Sequence, residues 1–168
     1  MKSLLVLGGA RSGKSRYAQS HIEAVGGKLA YIATAQALDS EMADRIRRHQ
    51  SDRDERWHTI EAPLALPEAI TEAARYTDAI LVDCLTLWLS NLILEGRDVE
   101  SASDKLCEAV QQSPCPVALV ANEVGLGIVP DNALSRQFRD CAGLLNQKAA
   151  RTAGQVIFIA AGLPMKLK

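Results

Sequence analysis

Short apolar runs alternate with segments of helical periodicity along the whole chain. The runs are four to six residues long and rich in Val, Ile and Leu, which predicts strands buried on both faces. A shorter alternating stretch predicts one further strand that ends before Pro63. The predicted strands cover residues 4–7, 29–33, 57–61, 79–83, 117–121 and 155–160. Strands that alternate with helices predict an α/β fold with a mostly parallel sheet and helices on both faces.

Apolar residues three and four apart predict the helices between these strands. Glycines at 26–27, 96 and 154 mark helix ends, where a left-handed cap is favoured. The predicted helices cover residues 16–25, 40–52, 66–74, 85–94, 99–112 and 138–149. Because the 168-residue chain has no internal repeat, low-complexity tract or linker, we expect a single domain over residues 1–168.

The first strand leads directly into the pattern G-x-x-x-x-G-K-S, and a helix follows. This strand–loop–helix setting is typical of a P-loop, so the expected fold is P-loop NTPase-like. The predicted phosphate cradle consists of Gly8, Gly9, Ala10, Arg11, Ser12, Gly13, Lys14 and Ser15. Lys14 supplies a positive charge to the β- and γ-phosphates, and Ser15 offers a hydroxyl to Mg²⁺. The start of the helix adds its own positive end.

Asp83 ends a predicted buried strand at the edge where nucleotides bind in open α/β sheets. P-loop proteins hold Mg²⁺ with an acidic residue in this position. The alternative interpretation is an N-cap for the helix that begins at Leu85. The sequence alone leaves both roles open.

A basic helix is predicted around His49. Arg45, His49 and Arg53 lie four residues apart and share one face. One interpretation is a solvated basic surface. The other is a catalytic histidine, because flanking guanidiniums disfavour the imidazolium and also bind phosphates. Spacing alone does not decide between them, and His21 and His58 lack this setting.

Two further places offer polar groups at strand ends. Glu61 ends a short strand, where it is suited to accept hydrogen bonds from a ribose or a base, although it is equally compatible with a surface role. Asn122 and Glu123 precede a loop with two glycines, which either lines a substrate site or simply connects two elements. The guanine-reading N-K-x-D element is absent here, which counts against a regulatory GTPase.

Composition narrows the class of partner. The net charge is −1 and only 4% of residues are aromatic, so neither a basic surface nor a base-stacking platform for nucleic acid is expected. The four cysteines form no C-x-x-C pair and no zinc spacing, which indicates reduced structural thiols. Since the sequence shows neither a signal peptide nor an apolar run long enough to span a bilayer, we expect a cytoplasmic protein.

Six blocks of sequence in the same order resemble one family over nearly the whole chain. The blocks are Gly8–Ser15, Tyr31-Ile32-Ala33-Thr34, Arg45-Ile46 with His49, Leu81-Val82-Asp83-Cys84-Leu85-Thr86, Asn122-Glu123-Val124-Gly125 with Gly127-Ile128-Val129-Pro130, and Phe138-Arg139-Asp140 with Asn146-Gln147. The chain resembles the bifunctional adenosylcobinamide kinase / adenosylcobinamide-phosphate guanylyltransferase family of cobalamin biosynthesis.

The resemblance implies two reactions on one scaffold. ATP or GTP would phosphorylate adenosylcobinamide with the help of Mg²⁺, and GTP would then guanylylate His49 before GMP passes to the phosphorylated cobinamide. Lys14 and His49 would be the catalytic residues, and Ser15 and Asp83 would hold the metal. Beyond the P-loop, the implied nucleotide contacts are Thr34, Ala35, Gln36, Ser51, Asp52, Arg53, Glu61 and Asp83.

The family resemblance also implies a homotrimer with sites near subunit boundaries. One departure is visible, because Arg53 is not followed by the proline that is common in the family. Two other functions remain as alternatives: a P-loop kinase of a small metabolite with a surface His49, and a nucleotide-dependent switch or binding protein.

Overall fold

Seven strands form one sheet in the computed structural model, which describes residues 3–36 and 54–168. The strands are β1 Ser3–Gly8, β2 Leu29–Ala33, β3 Trp57–Glu61, β4 Ala79–Asp83, β5 Val117–Asn122, β6 Gln155–Ala160 and β7 Leu163–Lys166. Their order across the sheet is β3-β2-β4-β5-β1-β6-β7. All neighbouring pairs are parallel except β6 and β7. The expected mostly parallel α/β sheet is confirmed.

The helices in the described residues cover both faces of the sheet. They are α1 Lys14–Glu23, α2 Leu66–Ala73, α3 Leu85–Leu94, α4 Val99–Gln112 and α5 Ala133–Thr152. Ala18 and Ile22 of α1 pack against one face, and the buried residues of α2 to α5 pack against the other. Trp88 of α3 is fully buried in the larger core, where its indole N–H donates to the Leu64 carbonyl at 2.9 Å.

The structure corrects one predicted boundary and adds one strand. Helix α5 begins at Ala133, five residues before the predicted start at 138, because Asn132 caps it by accepting the Ser135 N–H at 2.7 Å. Its first turns are largely exposed and therefore lack the apolar stripe on which the prediction relied. Strand β7 was not predicted, since its side chains are exposed and Pro164 lies within it. The helix predicted over residues 40–52 lies outside the described residues.

Candidate nucleotide-binding site

Polar and glycine residues meet at the carboxyl edge of the sheet. Gly8 at the end of β1 pairs with Asn122 at the end of β5. On the other side, Ala33 at the end of β2 pairs with both Asp83 and Glu61. Ligands of open α/β sheets bind at this edge. The predicted groups at these strand ends therefore lie along one edge of the sheet.

The P-loop is shaped by close contacts that only glycine permits. A Cβ atom at Gly8 would lie 2.5 Å from Ser12 Oγ and 2.6 Å from the Ile159 carbonyl oxygen. Gly13 has a φ of 98°, a conformation that L side chains rarely adopt, and it is the N-cap of α1. The loop therefore turns sharply from β1 into α1, whose first amides point toward the cradle.

Two polar side chains of the loop are drawn into the cradle. Lys14 is only 9% exposed, and its Nζ donates to the Gly9 carbonyl at 3.1 Å. Ser12 Oγ is buried and has no hydrogen-bond partner among the described residues. A buried cation and an unsatisfied hydroxyl within one glycine-rich turn are suited to bind an anion.

Ser15 and Asp83 face the same cleft, which lies beside α1 and has a volume of about 590 Å³. The cleft is lined by Ser15, Arg16, Gln19, Ser20, Glu23, Tyr31, Leu81 and Asp83. Within the described ranges, no three His, Cys, Asp or Glu side chains converge as a metal cage. One carboxylate and one hydroxyl fit Mg²⁺, because this ion is usually bound by one or two protein oxygens together with phosphates and water.

The alternative role of Asp83 as a helix cap is not supported. The N-cap residue of α3 is Cys84, and no side chain forms a capping hydrogen bond there. Burial is the main cause that raises the pKa of the Cys84 thiol to about 11, and the charge of Asp83 adds to it. Cys84 is consequently a protonated, buried side chain rather than a nucleophile.

The Thr34 side chain is hydrogen-bonded inside the protein and does not face an open cleft. It is fully buried, and its hydroxyl donates to the Cys84 carbonyl at 2.7 Å and accepts the Cys84 N–H at 2.8 Å. Asn91 Nδ2 donates to the Thr34 carbonyl at 2.9 Å. Thr34 thus ties the end of β2 to the residue that follows Asp83. No sequence pattern indicates this bridge or the part that Asn91 plays in it.

The remaining predicted residues are distributed differently. Ala35 and Gln36 follow Thr34 and are half-buried. Glu61 is exposed and lines a separate groove against α2, together with Glu68 and Tyr76. The Ser15–Asp83 cleft does not include it among the described residues. His49, Ser51, Asp52 and Arg53 lie outside the described residues.

The sheet order, the glycine-rich P-loop and the cleft beside Asp83 together define a P-loop nucleotide-binding α/β protein. A KaiC-like protein from Pyrococcus horikoshii shares the fold, with a TM-score of 0.51 and 10% identity over 94% of this chain and 71% of that one. In the described part of the chain, no helix has the length and apolar character needed to cross a membrane.

The chain belongs to the cobinamide kinase / cobinamide phosphate guanyltransferase (CobU) family, whose model matches residues 4–167. It is 46% identical to the bifunctional adenosylcobalamin biosynthesis protein CobP of Pseudomonas aeruginosa, over 98% of this chain and 96% of that protein. It is 43% identical to the bifunctional protein CobU of Salmonella typhimurium, over 98% and 99% of the two chains. The chain is thus a bifunctional kinase and guanylyltransferase.

Proposed function

We propose that this enzyme phosphorylates adenosylcobinamide with a nucleoside triphosphate and then converts the product to adenosylcobinamide-GDP with GTP. The proposal depends mainly on one observation, the P-loop cradle that opens beside Asp83 in a chain matched over its length by the CobU family. The size of the chain does not allow a corrinoid to be enclosed, so the acceptor lies over the open edge of the sheet.

In the kinase half-reaction, the acceptor hydroxyl oxygen attacks the γ-phosphorus. The bond from that phosphorus to the β–γ bridging oxygen breaks, the nucleoside diphosphate leaves, and the hydroxyl proton passes to water. Lys14 and the amides at the start of α1 stabilise charge on the phosphates. Ser15 and Asp83 would hold Mg²⁺, which neutralises phosphate charge when bound.

In the guanylyl half-reaction, an imidazole nitrogen of His49 attacks the α-phosphorus of GTP. The bond to the α–β bridging oxygen breaks and pyrophosphate leaves. A phosphate oxygen of the phosphorylated cobinamide then attacks the same phosphorus, and the bond to His49 breaks. Two displacements replace one difficult transfer. Arg45 and Arg53 lie four residues before and after His49 in the sequence, and guanidiniums close to the ring would disfavour its protonation.

Labelling with [α-³²P]GTP tests the histidine intermediate. We expect protein-bound label that is lost in acid and stable in alkali, as a phosphoramidate should be, and that is absent from His49→Ala. His58→Ala is the matched control, because His58 is exposed on β3 and stacks edge-on against Tyr76. Kinase activity should largely survive in His49→Ala. Label that persists in this variant, or an equal loss of both activities, would contradict the assignment.

An exposed apolar loop supports the proposed position of the corrinoid. The loop follows β5 directly at the P-loop edge, and its Leu126 and Ile128 side chains are 83% and 97% exposed. Arg136 holds the end of the loop through Nη1, which donates to the Pro130 carbonyl at 3.0 Å and the Asp131 carbonyl at 2.7 Å. We infer that the apolar parts of the corrinoid cover this loop.

The combined variant Leu126→Ser with Ile128→Ser tests the acceptor surface. We expect the KM for cobinamide to rise about tenfold or more, because apolar contact area is lost, while the KM for nucleotide stays unchanged. Val25→Ser is the control, since Val25 is 46% exposed and lies between the end of α1 and the start of β2, at the opposite edge of the sheet. An unchanged KM for cobinamide in the double variant would refute this placement.

We also propose that the enzyme is a cytoplasmic homotrimer with sites near subunit boundaries, as the family resemblance implies. The further nucleotide contacts at Thr34–Gln36, residues 51–53 and Glu61 have the same basis. Sedimentation equilibrium tests the assembly: a mass of three chains is expected, and a monomer at micromolar concentration would contradict it.

A further inference from the structure

The main chain of Asn122 is fixed on both sides by side chains of neighbouring helices. Its N–H donates to Thr86 Oγ1 of α3 at 2.7 Å, and its carbonyl accepts Asn146 Nδ2 of α5 at 3.3 Å. Thr86 and Asn146 are both 9% exposed. The side-chain amide of Asn122, by contrast, has no hydrogen-bond partner within residues 3–36 and 54–168. A rigidly held main chain therefore carries a side-chain amide that has no partner in the described part of the chain.

Alternation along β5 places this amide on the α1 side of the sheet. Val120 belongs to the core that contains α1, and Ala121 belongs to the core on the opposite face. Because residues two apart share a face, the Asn122 side chain lies on the same side as Val120. The P-loop lysine and serine that start α1 are on this side too.

The position of β5 in the sheet brings the amide between the two phosphate-binding elements. Strand β5 lies between β1, which leads into the P-loop, and β4, which ends at Asp83. Asn122 pairs directly with Gly8 at the start of the cradle, and Asp83 pairs with Val120 two residues earlier on β5. Neighbouring strands are only about 4.8 Å apart, so the amide is within side-chain reach of a phosphate in the cradle.

The next residue, Glu123, has a different role. Its Oε1 accepts the Gly125 N–H at 2.6 Å, and the side chain lines a groove against α5 on the other face of the sheet. Its own N–H donates to the Gly8 carbonyl at 3.1 Å. Glu123 thus shapes the loop after β5, and the carboxylate is directed away from the nucleotide cleft.

We propose that Asn122 is a further catalytic residue of the kinase half-reaction, and that its Nδ2 donates a hydrogen bond to an oxygen of the γ-phosphoryl group. The inference rests on the proposed function. A neutral donor on a main chain held by Thr86 and Asn146 needs little reorganisation when charge develops on that group, and preorganised donors of this kind stabilise phosphoryl transfer. No diphosphate carries this group, so the contact distinguishes triphosphate from diphosphate.

Nucleotide affinities of Asn122→Ala test the contact. We expect the affinity for the non-hydrolysable β,γ-imido triphosphates of adenosine and guanosine to fall about tenfold, which corresponds to one hydrogen bond to a charged acceptor. The affinity for ADP and GDP should change less than about twofold, and kinase kcat should fall. Asn122→Asp should lose more triphosphate affinity than Asn122→Ala, because its charge repels the phosphate.

Glu123→Gln is the matched control, since a glutamine Oε1 still accepts the Gly125 N–H and the variant should keep the wild-type ratio of affinities. Equal losses for diphosphate and triphosphate in folded Asn122→Ala and Asn122→Asp, or no loss for either, would overturn the proposal. If the variants show the expected changes in affinity while the wild-type enzyme phosphorylates no cobinamide, the contact is supported and the proposed function is contradicted.

Discussion

The Thr34 hydroxyl offers a direct test of whether this residue is structural or binds the nucleotide. Thr34→Val keeps the shape of the side chain and replaces the hydroxyl by a methyl group. The Cys84 N–H then loses the acceptor at 2.8 Å, and the Cys84 carbonyl loses the donor at 2.7 Å. The carbonyl keeps the Trp88 N–H at 3.2 Å, whereas the buried Cys84 N–H is left unsatisfied.

These contacts set the size of the expected loss. An unsatisfied buried N–H costs about 1–3 kcal/mol, and the lost hydroxyl bond adds about 0.5–1.5 kcal/mol. The new methyl group returns up to about 0.8 kcal/mol. The free energy of unfolding should therefore fall by about 1–4 kcal/mol. For a chain of this size, the Tm should fall by about 2–16 °C.

Urea unfolding and nucleotide titration of the same variant separate the two roles. Thr71→Val is the matched control, because the Thr71 hydroxyl donates to the Pro67 carbonyl on an exposed surface and its loss should cost less than about 0.5 kcal/mol. If Thr34→Val unfolds like wild type but binds nucleotide about tenfold more weakly, the hydroxyl contacts the ligand and the structural interpretation is wrong.

Three further perturbations test the cradle and its surroundings. Lys14→Ala should lower kcat of both half-reactions by about 10²–10³, measured with separate kinase and guanylyltransferase assays; full activity in either would contradict a shared cradle. Gly8→Ala should lower the Tm because its Cβ meets Ser12 and Ile159, whereas Gly9→Ala meets nothing within 4 Å and should not; equal Tm values would refute this. With a pKa raised from 9.0 to about 11, the Cys84 thiol holds about 100-fold less thiolate at pH 8, so iodoacetamide should spare it in mass spectra while Cys107 reacts.

Most of the sheet was predictable because its central strands are buried on both faces. A continuous apolar run between two helical segments, such as residues 117–121, is typical of a strand inside a parallel sheet, and the observed β5 extends the prediction by one residue. The P-loop was equally clear, since Gly8 and Gly13 are required by a close approach and a positive φ. Both signals are local, so the sequence contains them directly.

Roles that depend on contacts between distant residues were not predictable. Thr34 and Cys84 are 50 residues apart in the sequence. Nothing in either segment indicates that the Thr34 hydroxyl bonds both the N–H and the carbonyl of Cys84. The observed N-cap of α3, Cys84, was needed to argue against a capping role for Asp83. Likewise, Asn122 and Glu123 looked equivalent until the sheet placed their side chains on opposite faces.

The unpredicted hairpin of β6 and β7 explains how the P-loop keeps its shape. The turn between these strands brings the Gly162 N–H to the Ser12 carbonyl at 2.9 Å. Gly162 has a φ of 81°, and its Cα would lie 3.5 Å from a Cβ atom at Gly13. Because Ile159 of β6 also closes the space beside Gly8, the cradle is enclosed from the side opposite β5. An exposed strand near the end of the sequence, which adds little to the core, thus supports the most constrained turn of the site.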